Sequence, residues 1–394
     1  MANTRVTNPV TDFDKSTSLP GLKLPSGTNA NQPSGVQGMI RNDTGENTGG
    51  STSAIEHHNG TNWQYFAATE SPDPIIPENN YNNVLYTGNG GTKAVTGLSF
   101  QPDFVWSKSI STSGTNHILS NVVTGTGSNL YSNLTASSGT RGVTSFDTNG
   151  FTYSYPAEGG DANYSGQSYV AWCWKAGGAA VSNTDGDVES QVSANVAGGF
   201  SIVKGTGSGS GVQSVGHGLS SAPEFVMVKR TNVTDNWFCL VPGLTSTNYY
   251  MRLNTTDAEV NNGTPTIFAD STTVSVRQNS MGPWGDLIAY CFASVPGYSK
   301  VGSFVGTGVA GKKIDLDFEP AYILTKRVSS SGSSWAIIDN KRSTASDKKD
   351  YLEANSNAAE TTSSSGITFN TDGFTFNGSS FNTNGATHMY YAIA

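Results

Sequence analysis

The sequence predicts an all-β protein in which an N-terminal module precedes three tandem antiparallel β-sandwich repeats, jelly-roll-like or lectin-like in type. Two observations come from composition. Charged residues make up only 13% and Gly reaches 46, with abundant Ser, Thr and Asn, which is typical of many short strands joined by turns. Aromatic residues reach 10%, which is enough for a core and argues against disorder. The third observation is a motif that occurs three times.

The repeated motif is a heptapeptide that we call the landmark heptapeptide. It begins with proline, has an aromatic residue third and an apolar centre, and ends with lysine. Apolar residues on both alternating faces are typical of a strand covered on each side. Recurrence at domain-sized intervals indicates a duplicated domain. The copies are PDFVWSK (Pro102–Lys108), PEFVMVK (Pro223–Lys229) and PAYILTK (Pro320–Lys326).

Residues 1–70 form the predicted N-terminal module. A short strand is expected at Met39–Arg41, and Asn59-Gly60 lies between two extended segments, the strongest short signal for a β-hairpin. The module is too small and polar to bury much core alone, so we expect a partner to stabilise it. Met39, Ile40, Arg41 and Trp63 are the candidate anchoring residues. The alternative is a flexible tail.

A Pro-rich linker is predicted at residues 71–80, where Pro72, Pro74 and Pro77 occur close together. Closely spaced prolines do not join a sheet and favour a stiff extended spacer. The module and the repeats are therefore expected to be separate.

The predicted repeats span residues 81–178, 199–298 and 299–394, with a second linker at 179–198. Each repeat contains a Gly-rich opening, the landmark heptapeptide, a short apolar strand, a hairpin of the FNTDGFTF type and a closing apolar strand. The order of these elements is the same in all three, which indicates a common fold.

Charge and hydropathy exclude two classes of function. The net charge is −8 and no run of Lys or Arg is present, so no cationic face for nucleic acid is predicted. No segment approaches the roughly 18 apolar residues of a membrane span. The first residues lack an apolar segment of the signal-peptide type, so Sec-dependent secretion is not expected.

Three cysteines do not make a disulfide framework. Cys173 and Cys291 occupy corresponding positions in two repeats, which places them about a domain width apart, and both are expected to be small buried hydrophobes. A bond between Cys239 and Cys291 is the alternative.

Carboxylates of the glycosidase type were the first catalytic candidates, because many all-β proteins cleave sugars. Asp103 and Glu224 each follow the proline of the landmark heptapeptide, but the third copy has Ala321 there. These acids are therefore expected to flank a strand end, and no catalytic residue is predicted. A G-x-S-x-G match at Gly207–Gly211 lies in low-complexity sequence.

No metal or cofactor site is predicted. The histidines show no H-E-x-x-H or H-x-x-x-H spacing. His117 occupies the place of Trp237 and Trp335, which indicates a packing role. An axial metal at His57-His58 of a trimer is an alternative. Asn183–Glu189 lacks the spacing of a calcium loop and is expected to be a solvated turn.

Binding is more plausible than chemistry, because loops rich in Tyr, Ser, Gly and Asn suit adaptable recognition. Tyr249, Tyr250 and Trp284 lie outside the shared motifs and are the candidate receptor contacts. The alternative is packing at an edge or interface.

The chain resembles fibre-type virion proteins of tailed bacteriophages, especially of marine hosts. The segment from YSKVGSFVGTGVAG to SSWAIIDNKR and the endings YVAWCWKAGG and MYYAIA are similar to the repeat of these proteins. The N-terminal LPSGTNANQPSGVQGMIRNDT and EHHNGTNWQYF resemble the fibre pattern of an LPxGT-type segment before G-M-I-R and an N-G-T-x-W hairpin.

The resemblance implies a virion protein assembled in the host cytoplasm: a homotrimeric tail fibre or spike-like adhesin without enzymatic activity. Its N-terminus would dock to other virion proteins, and its repeats would bind a glycan or protein of the host surface. No heptads or long shaft sequence are present, which keeps open a head fibre or capsid decoration protein. A polysaccharide depolymerase is the third alternative, and it would need the carboxylate pair that the repeats lack.

Overall fold

The computed structural model describes residues 75–154, 161–207, 211–277 and 285–394 in full; before residue 75 it describes six strand backbones, His58 and Thr61. The chain divides into two compact units, Met1–Pro74 and Ile75–Ala394. All of the ordered secondary structure is β except for a 3-10 turn at Pro77–Asn79. The predicted all-β, β-sandwich type of fold is confirmed.

In the N-terminal unit, β4, β5 and β6 are consecutive antiparallel strands, and β3 adds to β4 in parallel. Met39 and the turn residues Asn59 and Gly60 lie outside the described residues, but His58 pairs with Trp63 across the predicted hairpin. The strands are β1 (Phe13–Asp14), β2 (Gly21–Leu22), β3 (Ser26–Gly27), β4 (Ile40–Asp43), β5 (Ala54–His58) and β6 (Trp63–Tyr65).

Copy 1 (residues 81–178) folds into two sheets. One has four strands in the order β10-β9-β13-β7, and the other has three in the order β11-β12-β8. The landmark heptapeptide provides β9. The strands are β7 (Tyr81–Thr87), β8 (Thr92–Thr96), β9 (Phe104–Ser109), β10 (Ile118–Asn121), β11 (Ser145–Asp147), β12 (Gly150–Ser154) and β13 (Ser168–Trp174).

Copy 2 (residues 199–298) repeats this arrangement as β16-β24-β18-β19 and β17-β23-β22. Residues 179–198, predicted as a linker, contribute β14 and β15, which extend the first sheet beyond β16. The strands are β14 (Val181–Asn183), β15 (Ser190–Asn195), β16 (Phe200–Thr206), β17 (Val212–Gly216), β18 (Phe225–Arg230), β19 (Phe238–Leu240), β20 (Tyr249–Tyr250), β21 (Val260–Asn261), β22 (Ile267–Ala269), β23 (Thr273–Arg277) and β24 (Asp286–Phe292).

Copy 3 (residues 299–394) has the same strand neighbours, but its two sheets join through a further strand into one curled eight-stranded sheet, β25-β32-β27-β28-β29-β30-β31-β26. The strands are β25 (Ser299–Val305), β26 (Lys312–Asp315), β27 (Tyr322–Arg327), β28 (Ala336–Asp339), β29 (Lys348–Glu353), β30 (Thr361–Asn370), β31 (Gly373–Phe376) and β32 (Thr387–Ile393).

The landmark strands are buried on both faces, as their sequence predicts, and the two faces belong to different cores. In β18, Val226 and Val228 point between the two sheets of copy 2, while Phe225 and Met227 point to the outside of the sandwich. The outward faces of all three copies meet in one shared core. Alternation along a strand therefore builds a private core and a common one from the same residues.

The three copies close a ring around the shared core. The aromatic residue of each landmark heptapeptide contacts an aromatic ring on the closing strand of the next copy, and the third copy contacts the first. Equivalent contacts at every interface make a closed pseudo-threefold arrangement within one chain. The ring pairs are Phe104–Tyr290 at 4.4 Å, Phe225–Tyr391 at 6.0 Å and Tyr322–Trp172 at 6.0 Å between centroids.

Backbone hydrogen bonds repeat with the same cyclic order. The loop after each landmark strand donates an N–H to a carbonyl of the neighbouring copy, so each sandwich is fixed to the next by main-chain geometry as well as by apolar contact. The three bonds run from Asp235 N to Thr135 O at 2.8 Å, from Gly332 N to Thr256 O at 2.9 Å and from Gly114 N to Asn357 O at 2.8 Å.

His117 takes the position of Trp237 and Trp335 in the ring, in agreement with the predicted packing role. Trp237 Nε1 donates to Tyr131 O at 2.8 Å, and Trp335 Nε1 donates to Arg252 O at 2.9 Å. His117 Nε2 lies 3.0 Å from Glu353 O, the equivalent carbonyl of copy 3. Three different ring N–H groups thus bind equivalent carbonyls across the three interfaces.

Candidate functional site

The acids that follow the landmark prolines bind backbone amides beyond the closing strands. Asp103 Oδ2 accepts hydrogen bonds from the N–H groups of Ala176 at 2.7 Å and Gly178 at 3.2 Å. Glu224 Oε2 accepts one from the N–H of Ser294 at 3.0 Å. Both acids thus stabilise the end of a strand, and Ala321 of copy 3 has no side chain to make such a bond.

An open cleft of about 540 Å³ lies beside Asp103 in copy 1. Its walls come from Asn79 in the 3-10 turn, from Ser99–Gln101 and Asp103 before β9, and from Lys175–Gly178 after β13. Three segments distant in sequence meet here because β9 and β13 are neighbours in the sheet and run antiparallel. The start of one strand therefore lies beside the end of the other.

Asp103 is the buried polar group of this cleft. The residue is 2% exposed, and its Oδ1 makes no hydrogen bond to any part of the chain that the structure describes. Burial raises the pKa of Asp103 above its ordinary value, whereas the two backbone N–H donors and the charge of Lys175 act in the opposite direction. The carboxyl is thus oriented through one oxygen and retains acceptor capacity on the other.

The predicted receptor contacts divide into three outcomes. Tyr249 is partly exposed, and its hydroxyl accepts a hydrogen bond from Asn261 Nδ2 at 3.1 Å. Tyr250 is only 4% exposed, so the prediction that its ring contacts a receptor is corrected. Alternation along β20 turns it inward, where it packs 5.2 Å from Phe238 between ring centroids. Trp284 lies outside the described residues.

The predicted anchoring residues belong to the N-terminal unit. Ile40 and Arg41 are in β4, and Trp63 is in β6. Their backbones pair within one sheet through β5. Met39 lies outside the described residues. Their placement in neighbouring strands leaves the anchoring role a prediction.

The closing lysines of the landmark heptapeptides are a feature that sequence reasoning missed. Lys108, Lys229 and Lys326 are at most 1% exposed, and burial lowers the pKa of each to about 8. Their Nζ atoms donate to neutral oxygens rather than to carboxylates. Lys229 donates to Thr135 O and Lys326 to Thr256 O of the neighbouring copy, while Lys108 donates to Ser109 O and Thr115 Oγ1 of its own.

A buried ion network is present where copy 3 meets copy 1. Arg342 Nε donates to Asp339 Oδ2 at 2.6 Å and Nη1 to Glu360 Oε1 at 2.7 Å. Trp172 Nε1 of copy 1 also donates to Asp339 Oδ2, at 3.0 Å. The arginine and these hydrogen bonds hold the pKa of Asp339 below its ordinary value although burial acts to raise it. Every strong donor here has a partner, which is the pattern of a structural network.

Chemistry-bearing groups elsewhere do not assemble into a reactive site within the described ranges. No group of three or more His, Cys, Asp or Glu residues is arranged there to hold a metal ion. Cys173, Cys239 and Cys291 are free and buried, and burial raises the pKa of each thiol. The alternative of a Cys239–Cys291 bond is therefore not realised. None of the described helices has the length and apolarity needed to cross a membrane.

Comparison with known sequences assigns a family. The chain belongs to the family described as a domain of unknown function, DUF7483, whose profile matches residues 76–394 and so includes all three copies. No curated protein matches the chain, and no solved structure matches it.

Proposed function

We propose that this chain is a structural virion protein of a tailed bacteriophage, a tail-fibre or spike-like adhesin. Its N-terminal unit docks to the tail, and its three-copy ring binds a glycan or protein on the host surface. The protein acts by binding, without a catalytic step or a cofactor. Its location is the mature virion, after assembly in the host cytoplasm.

The observation that carries the proposal is the contrast between the ring's constant scaffold and its variable margins. Equivalent rings and carbonyls make the same contacts at every interface. The segments that surround the landmark strands differ from copy to copy, as at Asp103, Glu224 and Ala321. A rigid scaffold that presents variable polar segments is the usual design of a recognition protein. The sequence resemblance to phage fibres supplies the biological setting.

Homotrimeric assembly belongs to the proposal, and we place its contacts in the N-terminal unit. In residues 75–394 the equivalent interfaces between sandwiches are already satisfied within one chain. Light scattering should therefore give a trimer for the full chain and a monomer for a variant that lacks residues 1–74. A trimeric truncated variant would contradict this placement.

The proposal as a whole is tested by virion incorporation. Deletion of residues 1–74 should abolish incorporation into particles but leave a soluble protein with the near-ultraviolet circular dichroism of a packed aromatic core. The purified full chain should also compete with phage for adsorption to host cells. Continued incorporation of the truncated protein would overturn the docking role, and lack of competition would overturn the adhesin role.

One observation favours a second candidate, a head fibre or capsid decoration protein. The three copies form a closed ring with one shared core rather than a string of separate domains, so repetition adds little length. Gold labelling of the N-terminus on intact particles distinguishes the two. Label restricted to the tail excludes decoration, and label distributed over the capsid excludes a tail adhesin.

A further inference from the structure

We propose that the cleft of copy 1 is a saccharide-binding site in which Asp103 Oδ1 accepts a hydrogen bond from a ligand hydroxyl. The inference rests on the proposed adhesin function, because it names the ligand class and the place on the ring where that ligand binds. It concerns one copy of the three and five polar or apolar groups of this chain.

The dimensions of the cleft suit a small polar ligand. Its volume of about 540 Å³ lies within the roughly 300–1,000 Å³ of small-molecule sites. Asn79, Gln101 and Lys175 contribute side chains that are at least partly exposed, and Phe100 and Ala176 add apolar surface. Amides donate and accept hydrogen bonds, as sugar hydroxyls do, so the two sets are complementary.

Asp103 gives the cleft a fixed acceptor. Its Oδ2 is held by the N–H groups of Ala176 and Gly178, which orients the carboxyl plane, and its Oδ1 has no partner among the described residues. Because the side chain is 98% buried, it loses little conformational freedom when a ligand binds. A hydroxyl that donates to Oδ1 gains a charge-assisted hydrogen bond, which is stronger than one between neutral groups.

The charges of the cleft favour a saccharide over a metal ion. A calcium ion needs six to eight oxygen ligands, usually several of them carboxylates, and the walls contain a single carboxylate. Lys175 adds a positive charge near the same position, which opposes a divalent cation. A neutral ligand with several hydroxyls satisfies both the acid and the surrounding amides.

The site is specific to copy 1, which provides controls inside the molecule. The register of the closing strands aligns Trp174 with Phe292 and Ile393, so Lys175 corresponds to Ala293 and Ala394. Glu224 takes the place of Asp103 in copy 2, but its carboxylate binds Ser294. Copies 2 and 3 therefore keep the strand geometry and lack the combination of acid, lysine and amides.

The test uses the full chain and a panel of methyl glycosides of glucose, galactose, mannose and N-acetylglucosamine. Binding is read by saturation-transfer NMR and titration calorimetry, with and without EDTA. We expect millimolar binding of at least one glycoside. Asp103→Asn keeps an acceptor for the two backbone N–H groups but presents an NH₂ group to the cleft, so affinity should fall by about tenfold or more.

Glu224→Gln is the matched control, because it makes the same change at the equivalent position of copy 2, and it should leave affinity unchanged. Gln101→Ala, at an exposed wall position, keeps the test valid should Asp103→Asn unfold, and it should weaken binding severalfold. No binding by the wild type, equal affinity in the Asp103 and Glu224 variants, or binding abolished by EDTA would each overturn the inference.

Adsorption assays separate this inference from the proposed function. If the wild type and Asp103→Asn compete equally well with phage for host cells, the adhesin function stands and the cleft is not its ligand site. If neither protein competes, the adhesin function fails, and glycoside titration alone then decides the cleft. Loss of both competition and glycoside binding in Asp103→Asn supports the two together.

Discussion

The ring closes through three equivalent interfaces, but the one between copy 3 and copy 1 differs from the two between copies adjacent in the chain. At one equivalent position, Asn121 Nδ2 donates to Tyr290 OH at 2.9 Å between copies 1 and 2. Val241 provides only apolar surface between copies 2 and 3. Between copies 3 and 1, Asp339 accepts from Trp172 Nε1 and pairs with Arg342. We call this last contact the closing interface.

The difference teaches how a repeated chain closes on itself. Interfaces of one type between repeated units can also link separate chains into open assemblies. A buried charge at the closing interface needs its own partners, so copy 3 pairs well with copy 1 and poorly with an apolar position. Buried ionic groups have this role in other systems, where they fix register more than they add stability. We infer that the network selects the closing partner.

The largest expected effect comes from removing the arginine of the closing interface. Arg342→Ala leaves Asp339, whose side chain is 0% exposed, without its counter-charge, and should lower the free energy of unfolding by about 3–5 kcal/mol. Urea unfolding followed by tryptophan fluorescence measures the change. Lys313→Ala is the control, because it removes an exposed ion pair, and it should have little effect. Equal effects of the two substitutions would contradict the role of the network.

An intermediate effect is expected at His117. His117 Nδ1 accepts from Trp106 Nε1 at 2.9 Å, and burial lowers the pKa of the imidazole well below its ordinary value, so the neutral ring donates through Nε2 to Glu353 O. His117→Phe leaves both partners unpaired and should cost about 2–3 kcal/mol in thermal or urea unfolding.

The paired variant Trp106→Met with His117→Trp sharpens this comparison, because it places in copy 1 the pair that copy 2 has at Met227 and Trp237. If the closing interface uses the same geometry as the other two, the double variant should recover most of the lost stability. A double variant less stable than His117→Phe would show that the closing interface has a different geometry.

The smallest expected effect concerns the buried lysines. The pKa of Lys229 is about 8 in the folded protein and about 10.4 in an unfolded chain, so the unfolded state binds more protons. Stability should therefore rise with pH through the folded pKa and be lost as pH falls below it. From pH 7 to pH 9 the gain is about 1 kcal/mol for each such lysine.

The buried thiols act in the opposite direction over this range, because they ionise only on unfolding. The measurement is therefore a difference: Lys229→Met should reduce the change in unfolding free energy between pH 7 and pH 9 by about 1 kcal/mol relative to the wild type. Lys175→Met, at an exposed position, should leave that change as it is. An unaltered pH dependence in Lys229→Met would show that the lysine is solvated in the folded state.

The candidate site was only partly predictable from sequence. Asp103 was recognised as a strand-end acid, and the structure places it there. Its cleft could not be foreseen, since it depends on Asn79 and Lys175–Gly178 meeting at one sheet edge. Tyr250 was predicted outward because two adjacent tyrosines give no indication of which one faces the core. Burial of Lys229 was missed for a related reason: its carbonyl partner, Thr135 O, belongs to another copy.

The sequence by itself determined the all-β class and the order of strands in each copy, because alternation, turn residues and the recurring heptapeptide are local signals. It also indicated that the landmark strands are covered on both faces. Only the tertiary structure decided what covers them. One face meets the second sheet of its own sandwich, and the other meets the remaining copies around a shared core. That choice depends on contacts between residues more than a hundred positions apart, such as Phe104 and Tyr290, which no local pattern encodes.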